Sequence, residues 1–566
     1  MSLLLFLRFD IDTLKRFVFI LLLFVCEIVF SQDVAMIHER YQNYRSRLLD
    51  EWLVTSENVE QFGVNIPAMD RRVDSNGKRI WISWSDGNAN FNHWLGILST
   101  EYRLLKDNGQ NYDETLKLLV YSMLSIERLD LYSEYALRCH HGLASPNTSD
   151  VSKLVKYPDD INGFLIRDDV SLGFWKQYHD KFGVEYGSIN KSRDGTGRYL
   201  SVFQCGVIAK EGMSQDNICY MIQGLAIVKA LVDDESLANV PIKFVNPYIP
   251  DYLEKKGIFK NGKVYFGLWV DDIVDRLVGH MYHDYPERRL SMKISKTMKA
   301  RPYENSMGSL LSTRWYVTNP VTNDMVAEGN GEDMGVWINS YGIAEAATKL
   351  TGKNYHNDGS NYGLSKYVFV SVLYKDARVL GLGGLPLPDG IDDYMTRALA
   401  TVGDINRGGK KSTRLLYLLD DKREKWTYEQ NTLILYLLHK DKYSRVYHAG
   451  TKLYDDDEMF YRKLLAQVPE YCPSTDSTRK DWSPYWSTTS RMNWPKNTGR
   501  VDCKNVWEFS GMDFMFLYNL YRLVFNSKGY EINRIQEKNQ RQYMTPEMQE
   551  PDVQYFLLPP TGSKLN

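Results

Sequence analysis

The chain has 566 residues, of which 43% are hydrophobic and 25% charged. That is enough apolar material for one very large core or two ordinary ones, and it excludes a disordered chain. Its 69 Lys and Arg against 71 Asp and Glu leave a net charge of −2, without the basic footprint of a nucleic-acid-binding protein, and six cysteines are too few for a disulfide-built scaffold.

At the start, Lys15 and Arg16 precede the apolar run Phe17 to Val25, followed by Glu27 and the small residue Ser31. This charged, apolar, small-residue order is that of a signal peptide, and the run is about half of the ~20 apolar residues that a membrane-crossing helix needs. The expectation is cleavage near Ser31, a secreted or periplasmic mature chain and no membrane span after cleavage. An uncleaved anchor and a lipoprotein acylated at Cys26 are the competing readings. Residues 1–31 are then the signal peptide, 32–525 one helical domain, and 526–566 a C-terminal tail that wraps the body or is disordered. Cys139, Cys205, Cys219, Cys472 and Cys503 remain, an odd number; Cys472 with Cys503 is the pair that would close a loop.

Apolar residues at helical spacing then recur along the chain. Helices fit Gln32 to Leu53 and Phe91 to Lys106. In Asn111 to Leu137, Asn111 and Glu114 form a capping box ahead of the stripe Leu116, Leu119, Met123 and Ile126. From Ser214, the residues Ile218, Met221, Ile222, Leu225, Val228 and Val232 share one face. Asp272 to His283 follows, then Ile338 to Leu350, with Gly352 where a left-handed C-cap belongs. Asp392 to Val402, the run Leu433 to Leu438 capped by Thr427 and Gln430, and a last helix from Ser510 and Asp513 through Val524 complete the series. The segments Gly183 to Gly212, Asn246 to Lys263 and Pro302 to Gly335 read as long functional loops.

The fold class is therefore mainly α, built from irregular stacked helical hairpins. This outline resembles the α/α toroid of exported carbohydrate-active enzymes, including polysaccharide lyases and unsaturated glucuronyl hydrolases. The likeness is one of architecture, runs from about residue 35 to about residue 525, and rests on no signature residue. It implies paired helices in a ring, with loops at one end building a groove for sugar.

Several constellations carry residues suited to such chemistry. In Asn162 to Val170, Arg167 lies beside Asp168 and Asp169; an acid paired with the arginine ionises readily while a less solvated neighbour keeps its proton, a split that suits acid/base work. An N-cap with a structural ion pair explains the same residues. Asp216 falls in the first turn of the helix from Ser214, either as a base or sugar-hydroxyl acceptor or as a complement to the helix dipole. Asp272, Asp275 and Arg276 share one helix face, and His280 and His283 lie a turn apart behind Trp269. The histidines lack the Glu and the third ligand of a hydrolytic zinc motif, so neither a metal nor a cofactor is expected. Glu332 and Asp333 lie in the turn Gly329 to Gly335, just before Trp337, and its glycines do not have dinucleotide-binding spacing. Simple turn and N-cap chemistry accounts for the acids of Pro388 to Tyr394.

Tryptophans cluster at Trp81, Trp84 and Trp94 and again at Trp482, Trp486, Trp494 and Trp507, near Arg491 and Arg500. Such rings stack on sugar faces, the arginines suit an acidic glycan, and ring closure would bring the two clusters together; packing beneath loops is the alternative. No nucleophile elbow or Walker loop is found. The function expected is an exported glycan-degrading enzyme, a glycoside hydrolase or a polysaccharide lyase. Asp169, Asp216 and Asp272 are its acid/base candidates, Arg167 orients, and His283 or a tyrosine is the base for elimination. Trp84, Trp269, Glu332, Trp337, Trp486 and Arg491 are the residues expected to contact the poly- or oligosaccharide. The alternative is a non-catalytic exported glycan-binding or surface-assembly protein.

Overall fold

The computed structural model describes residues 34–49, 52–53, 66–67, 70–74, 79–83, 87–140, 161, 163, 165, 215–242, 244, 248–282, 300–302, 313–318, 325–327, 346–348, 350–353, 430, 433–434, 437–438, 455–466, 468 and 505–532. These residues are mainly helical. Helix α1 covers residues 34–49, followed by α2 (Gly87–Asp107), α3 (Asp113–His140), α4 (Gln215–Leu231), α5 (Tyr248–Lys255), α6 (Phe266–Tyr282), α7 (Asp455–Ala466) and α8 (Met512–Phe525). Shorter helical stretches lie at 346–348 and 350–351 and at residues between 430 and 438.

α2 sits at the centre because it is apolar on more than one side. Phe91, Trp94, Leu95, Ile97, Leu98, Tyr102, Leu104 and Leu105 are all buried, so it meets neighbours around its circumference. Ser99 and Thr100, also buried, turn their hydroxyls back onto the Leu95 and Gly96 carbonyls at 2.7 and 2.6 Å. α4 and α8 pack on its two sides at glycine crossings. A Cβ on Gly96 would come within 2.6 Å of the Phe516 ring, and one on Gly224 within 2.8 Å of the Asn92 Cα.

Contacts along these helices fix their directions. Asn92 reaches Gln223 near the start of α2, and Arg103 reaches Asp233 near its end, so α2 and α4 run parallel. Gly96 meets Phe516, the Asn519 amide donates to the Ile97 carbonyl at 3.4 Å, and the Asn108 amide donates to the Ser527 carbonyl, so α8 runs the same way. α3 runs opposite to α2, because Thr115 bonds Glu101 and Trp94 bonds Ser122. α1 runs opposite to α8, with His38 at Tyr518 and Tyr44 at Gly511.

Helix ends follow local chemistry. The Asn111 side chain accepts from the Asp113 N–H at 2.9 Å and opens α3, and Gly352 has the expected left-handed φ of 76°. α6 begins at Phe266, ahead of the predicted Asp272, because Phe266, Trp269 and Val270 extend its buried face.

The expected loop Asn246 to Lys263 instead contains α5, with Pro250 tolerated in its first turn and Ile249, Tyr252 and Leu253 buried. It also contains a hairpin of β4 (Phe259–Lys260) and β5 (Lys263–Val264), which pairs with β3 (Glu235–Ser236). The expected loop Pro302 to Gly335 contains β7 (Thr313–Thr318) and β8 (Met325–Ala327), which join β6 (Ala300–Pro302) in an antiparallel sheet. A third sheet has the order β2-β1-β9, from Arg79–Ser83, Asp70–Asp74 and Asn505–Phe509.

Residues 526–532 of the expected tail lie against the body: Tyr530 is fully buried and donates to Asn519 Oδ1 at 2.9 Å, and the Gly529 N–H donates to Asn108. Residues 1–31, the predicted helix Asp392 to Val402, the Cys472 and Cys503 pair and the tail beyond Ile532 lie outside the described residues. No described helix is long and apolar enough to cross a membrane.

Candidate functional site

The parallel course of α2, α4 and α8 places their N-termini at one end, where unsatisfied N–H groups and helix dipoles favour negative or hydroxyl-bearing ligands. The β2-β1-β9 sheet delivers the chain to this rim. β2 and β9 are both antiparallel to β1 and so run the same way; β2 ends at Ser83, just before α2, and β9 at Phe509, just before α8. The register sets Arg72 opposite Trp81 on one side and Trp507 on the other. Trp81 and Trp507, one from each tryptophan-rich segment, are thus paired to one strand.

α3 brings further acids to the same end. Ser122 lies level with Trp94 of α2, and at ~1.5 Å per residue the later Glu127 and Asp130 fall level with the first turns of α2. Both are fully buried and share the Arg276 guanidinium of α6. Arg276 Nη2 spans the Glu127 oxygens at 2.8 and 2.7 Å, Nη1 bonds Asp130, and Nε reaches Asp272 Oδ2 at 3.0 Å. Glu127 also accepts from the Trp269 indole at 2.7 Å. Asp272 accepts from the Tyr252 hydroxyl at 2.7 Å and pairs with Lys256 at 2.8 Å, both supplied by the α5 segment.

One cation serving three acids separates their protonation. Burial pushes Glu127 up to about 7 against the pull of Arg276, with the Asp272 charge adding to the rise. Burial also works to raise Asp272, but Arg276, Lys256 and Tyr252 outweigh it and hold this carboxyl below its ordinary range. A carboxyl that exchanges its proton near neutrality thus stands beside one that stays ionised, the split that acid/base chemistry requires.

A second acid stands at the first turn of α8. Asp513 is buried, and neither carboxyl oxygen has a hydrogen-bond partner of good geometry. Burial holds it well above the carboxylate range, outweighing the nearby N–H groups of Phe514 and Asp513 itself. Gln430 donates to the Asp513 main-chain carbonyl at 3.1 Å, and its own Oε1, like the Ser510 hydroxyl, is buried without a partner.

Asp272 therefore belongs to the Arg276 cluster, and Asp216 occupies the first turn of α4 at the rim. Trp269 stands corrected as a stacking platform: it is fully buried against Phe259 and Phe266, with its indole N–H spent on Glu127. Trp94 is interior too, bonded to Ser122 at 3.0 Å. Arg167, Asp169, Trp84, His283, Glu332, Trp337, Trp486 and Arg491 lie outside the described residues. His283 directly follows the last residue of α6, a helix that runs towards the rim from Asp271 beside Lys229.

Glu127, Asp130, Tyr252, Lys256 and Asp513 were not anticipated from sequence; the available signal was a set of charges inside the otherwise apolar stripe of α3. Among the described residues no group of three or more His, Cys, Asp or Glu is placed to hold a metal ion. Compared with known families, curated proteins and solved structures, the chain matches none, so its functional reading rests on the chemistry of this rim.

Proposed function

We propose that the chain is exported and degrades a glycan at this rim, as a glycoside hydrolase or a polysaccharide lyase whose helices close into an irregular α/α ring. Export rests on the order of Lys15, Arg16, the apolar run and Ser31. The ring is supported by α8 lying beside α2 although the two are far apart in sequence, by α4 running parallel on the other side of α2, and by the reversed courses of α1 and α3.

One observation carries the reading: the N-termini of α2, α4 and α8 converge with Asp216, Asp513, the Arg276 cluster and the strand that pairs with Trp81 and Trp507. In hydrolysis a protonated acid serves the leaving oxygen while a second carboxylate activates water or attacks the sugar. In elimination a base removes the proton beside a uronate whose charge an arginine neutralises. Asp216 and Asp169 are the acids offered to substrate in the first case, His283 the base in the second.

The mature protein should generate new reducing ends or unsaturated-uronate absorbance on at least one polysaccharide from a panel of acidic and neutral glycans. Asp216→Asn should abolish turnover while retaining binding. A second reading, a non-catalytic glycan-binding or surface-assembly protein, is favoured by the fact that the acids of the Arg276 cluster are already hydrogen-bonded. Binding by the wild type without turnover on any glycan would select it.

A further inference from the structure

The first turn of α8 is a buried helix start without a side-chain cap. Gly511, at the N-cap position, has a φ of 79° and no side chain to offer. The free N–H groups of a helix start are ordinarily served by a Ser or Asp placed close by. Ser510 and Asp513 stand in such places, yet neither makes that bond. Rings close the turn off from water: a Cβ on Gly511 would run into the Tyr44 ring of α1, Tyr44 lies 5.3 Å from Phe514, and His93 of α2 stands edge-on to Phe516 at 5.9 Å.

Three polar side chains are shut in at this turn. Ser510 is 0% exposed, and Asp513 and Gln430 are 1% exposed each. Gln430 Nε2 donates to the Asp513 main-chain carbonyl at 3.1 Å, which holds the other half of that amide at the same turn. Gln430 Oε1, the Ser510 hydroxyl and both Asp513 carboxyl oxygens have no hydrogen-bond partner, so they do not satisfy one another either. Buried acceptors left unserved are costly, and each one calls for an explanation.

All four of these atoms are oxygens, from one carboxyl, one amide and one hydroxyl. What they lack is a donor or a positive charge. An anion would bring more acceptors and meet the Asp513 carboxyl. Side chains at most 1% exposed suit a single ion rather than a sugar ring. Hard cations take oxygens of this kind, and a dry set favours calcium, because magnesium dehydrates reluctantly and keeps several waters. Asp513 supplies the counter-charge. With one carboxylate only, and with the positive end of the α8 dipole opposing, the affinity falls at the weak end of the calcium range, ~10⁻⁴–10⁻³ M.

We propose that Asp513, Gln430 and Ser510 form a calcium site that fastens the junction of β9 and α8 to the segment carrying Gln430. The site stands apart from the glycan reading and does not need it.

Isothermal titration calorimetry on the chelator-treated full chain tests the site. Titration with CaCl2 should show a Kd of ~10⁻⁴–10⁻³ M, and MgCl2 should bind at least ~10-fold more weakly. Asp513→Asn should weaken calcium binding at least ~10-fold with the far-UV circular dichroism unchanged, and Ser510→Ala should weaken it about 3-fold. Gln430→Glu, which adds a second carboxylate, should tighten it at least ~3-fold. If Asp513→Asn does not fold, Ser510→Ala and Gln430→Glu decide. No calcium binding by the wild type up to 10-fold above the upper end of that range overturns the proposal without any variant. Binding that is unchanged in the folded variants overturns it too, because the ion then sits elsewhere, and equal affinity for magnesium overturns the calcium assignment.

Discussion

Two buried arginines brace this protein in different ways. Arg45 of α1 forks onto one acid, Glu101 of α2, with Nε at 2.7 Å and Nη2 at 3.0 Å. Glu101 also takes the Tyr41 hydroxyl at 2.5 Å and the Thr115 hydroxyl at 2.6 Å, and Asn519 and Tyr530 extend the network to α8 and the tail. Arg45 also reaches the part-exposed Glu114 of α3 at 3.5 Å, so this cation meets one fully buried anion and one nearer the surface, and the set joins α1, α2 and α3. Arg276, by contrast, serves Glu127, Asp130 and Asp272, and the more exposed Lys256 also pairs with Asp272. An arginine with a single fully buried acid fixes helices; an arginine shared among three acids leaves a proton in play, at Glu127.

Removing each arginine should break the contrast most sharply. Arg276→Met removes the cation that three acids share and should cost about 3–5 kcal/mol in urea unfolding, with Arg45→Met near the lower end of that range. Adding Glu101→Gln to Arg45→Met should recover most of the loss. Adding Glu127→Gln to Arg276→Met should recover only part, because Asp130 and Asp272 remain buried and ionisable.

The pH dependence should follow. The folded chain holds the Glu127 proton up to about 7, above the ordinary value of 4.5, so it binds that proton more tightly than the unfolded chain does. Stability from this group is therefore full at low pH and declines as pH climbs from about 4.5 to about 7, by an order of 3 kcal/mol. Glu127→Gln should flatten that part of a stability curve measured by unfolding across pH. Asp272 works in the opposite direction, its contribution being lost as pH falls through and below the ordinary carboxylate range.

Asp513 sharpens the comparison at a smaller scale. Burial opposes ionisation of Asp513, so Asp513→Asn should change stability by less than about 1 kcal/mol at neutral pH. A loss of several would mean an ionised, paired carboxylate. The smallest effect is expected at the opposite end of α2, where Lys106 meets Asp233 and Glu235 in a half-exposed web. Lys106→Ala should cost under about 1 kcal/mol and should lose even that in high salt.

Much of the helical framework was legible because its signals are local. α3, α4 and α8 each carry an apolar stripe at helical spacing, and the Asn111 cap and Gly352 are read from single residues. Half of the Arg276 cluster was legible for the same reason, since Asp272 and Arg276 are four residues apart on one helix. The other half was not. Glu127 and Asp130 meet Arg276 across nearly 150 positions, and in sequence they look like polar interruptions of a core stripe. α5 was hidden by Pro250, and β1, β2 and β9 by pairing that joins the early chain to residues beyond 500. Trp269 misled because sequence does not reveal whether an indole faces a groove or a buried carboxylate.

A crystal structure of the chain bound to an oligosaccharide tests the proposed rim most directly. The sugar should lie across the first turns of α2, α4 and α8, within reach of Asp216. A sugar seated at the other end of these helices, beside Arg103 and Asp233, would contradict the account.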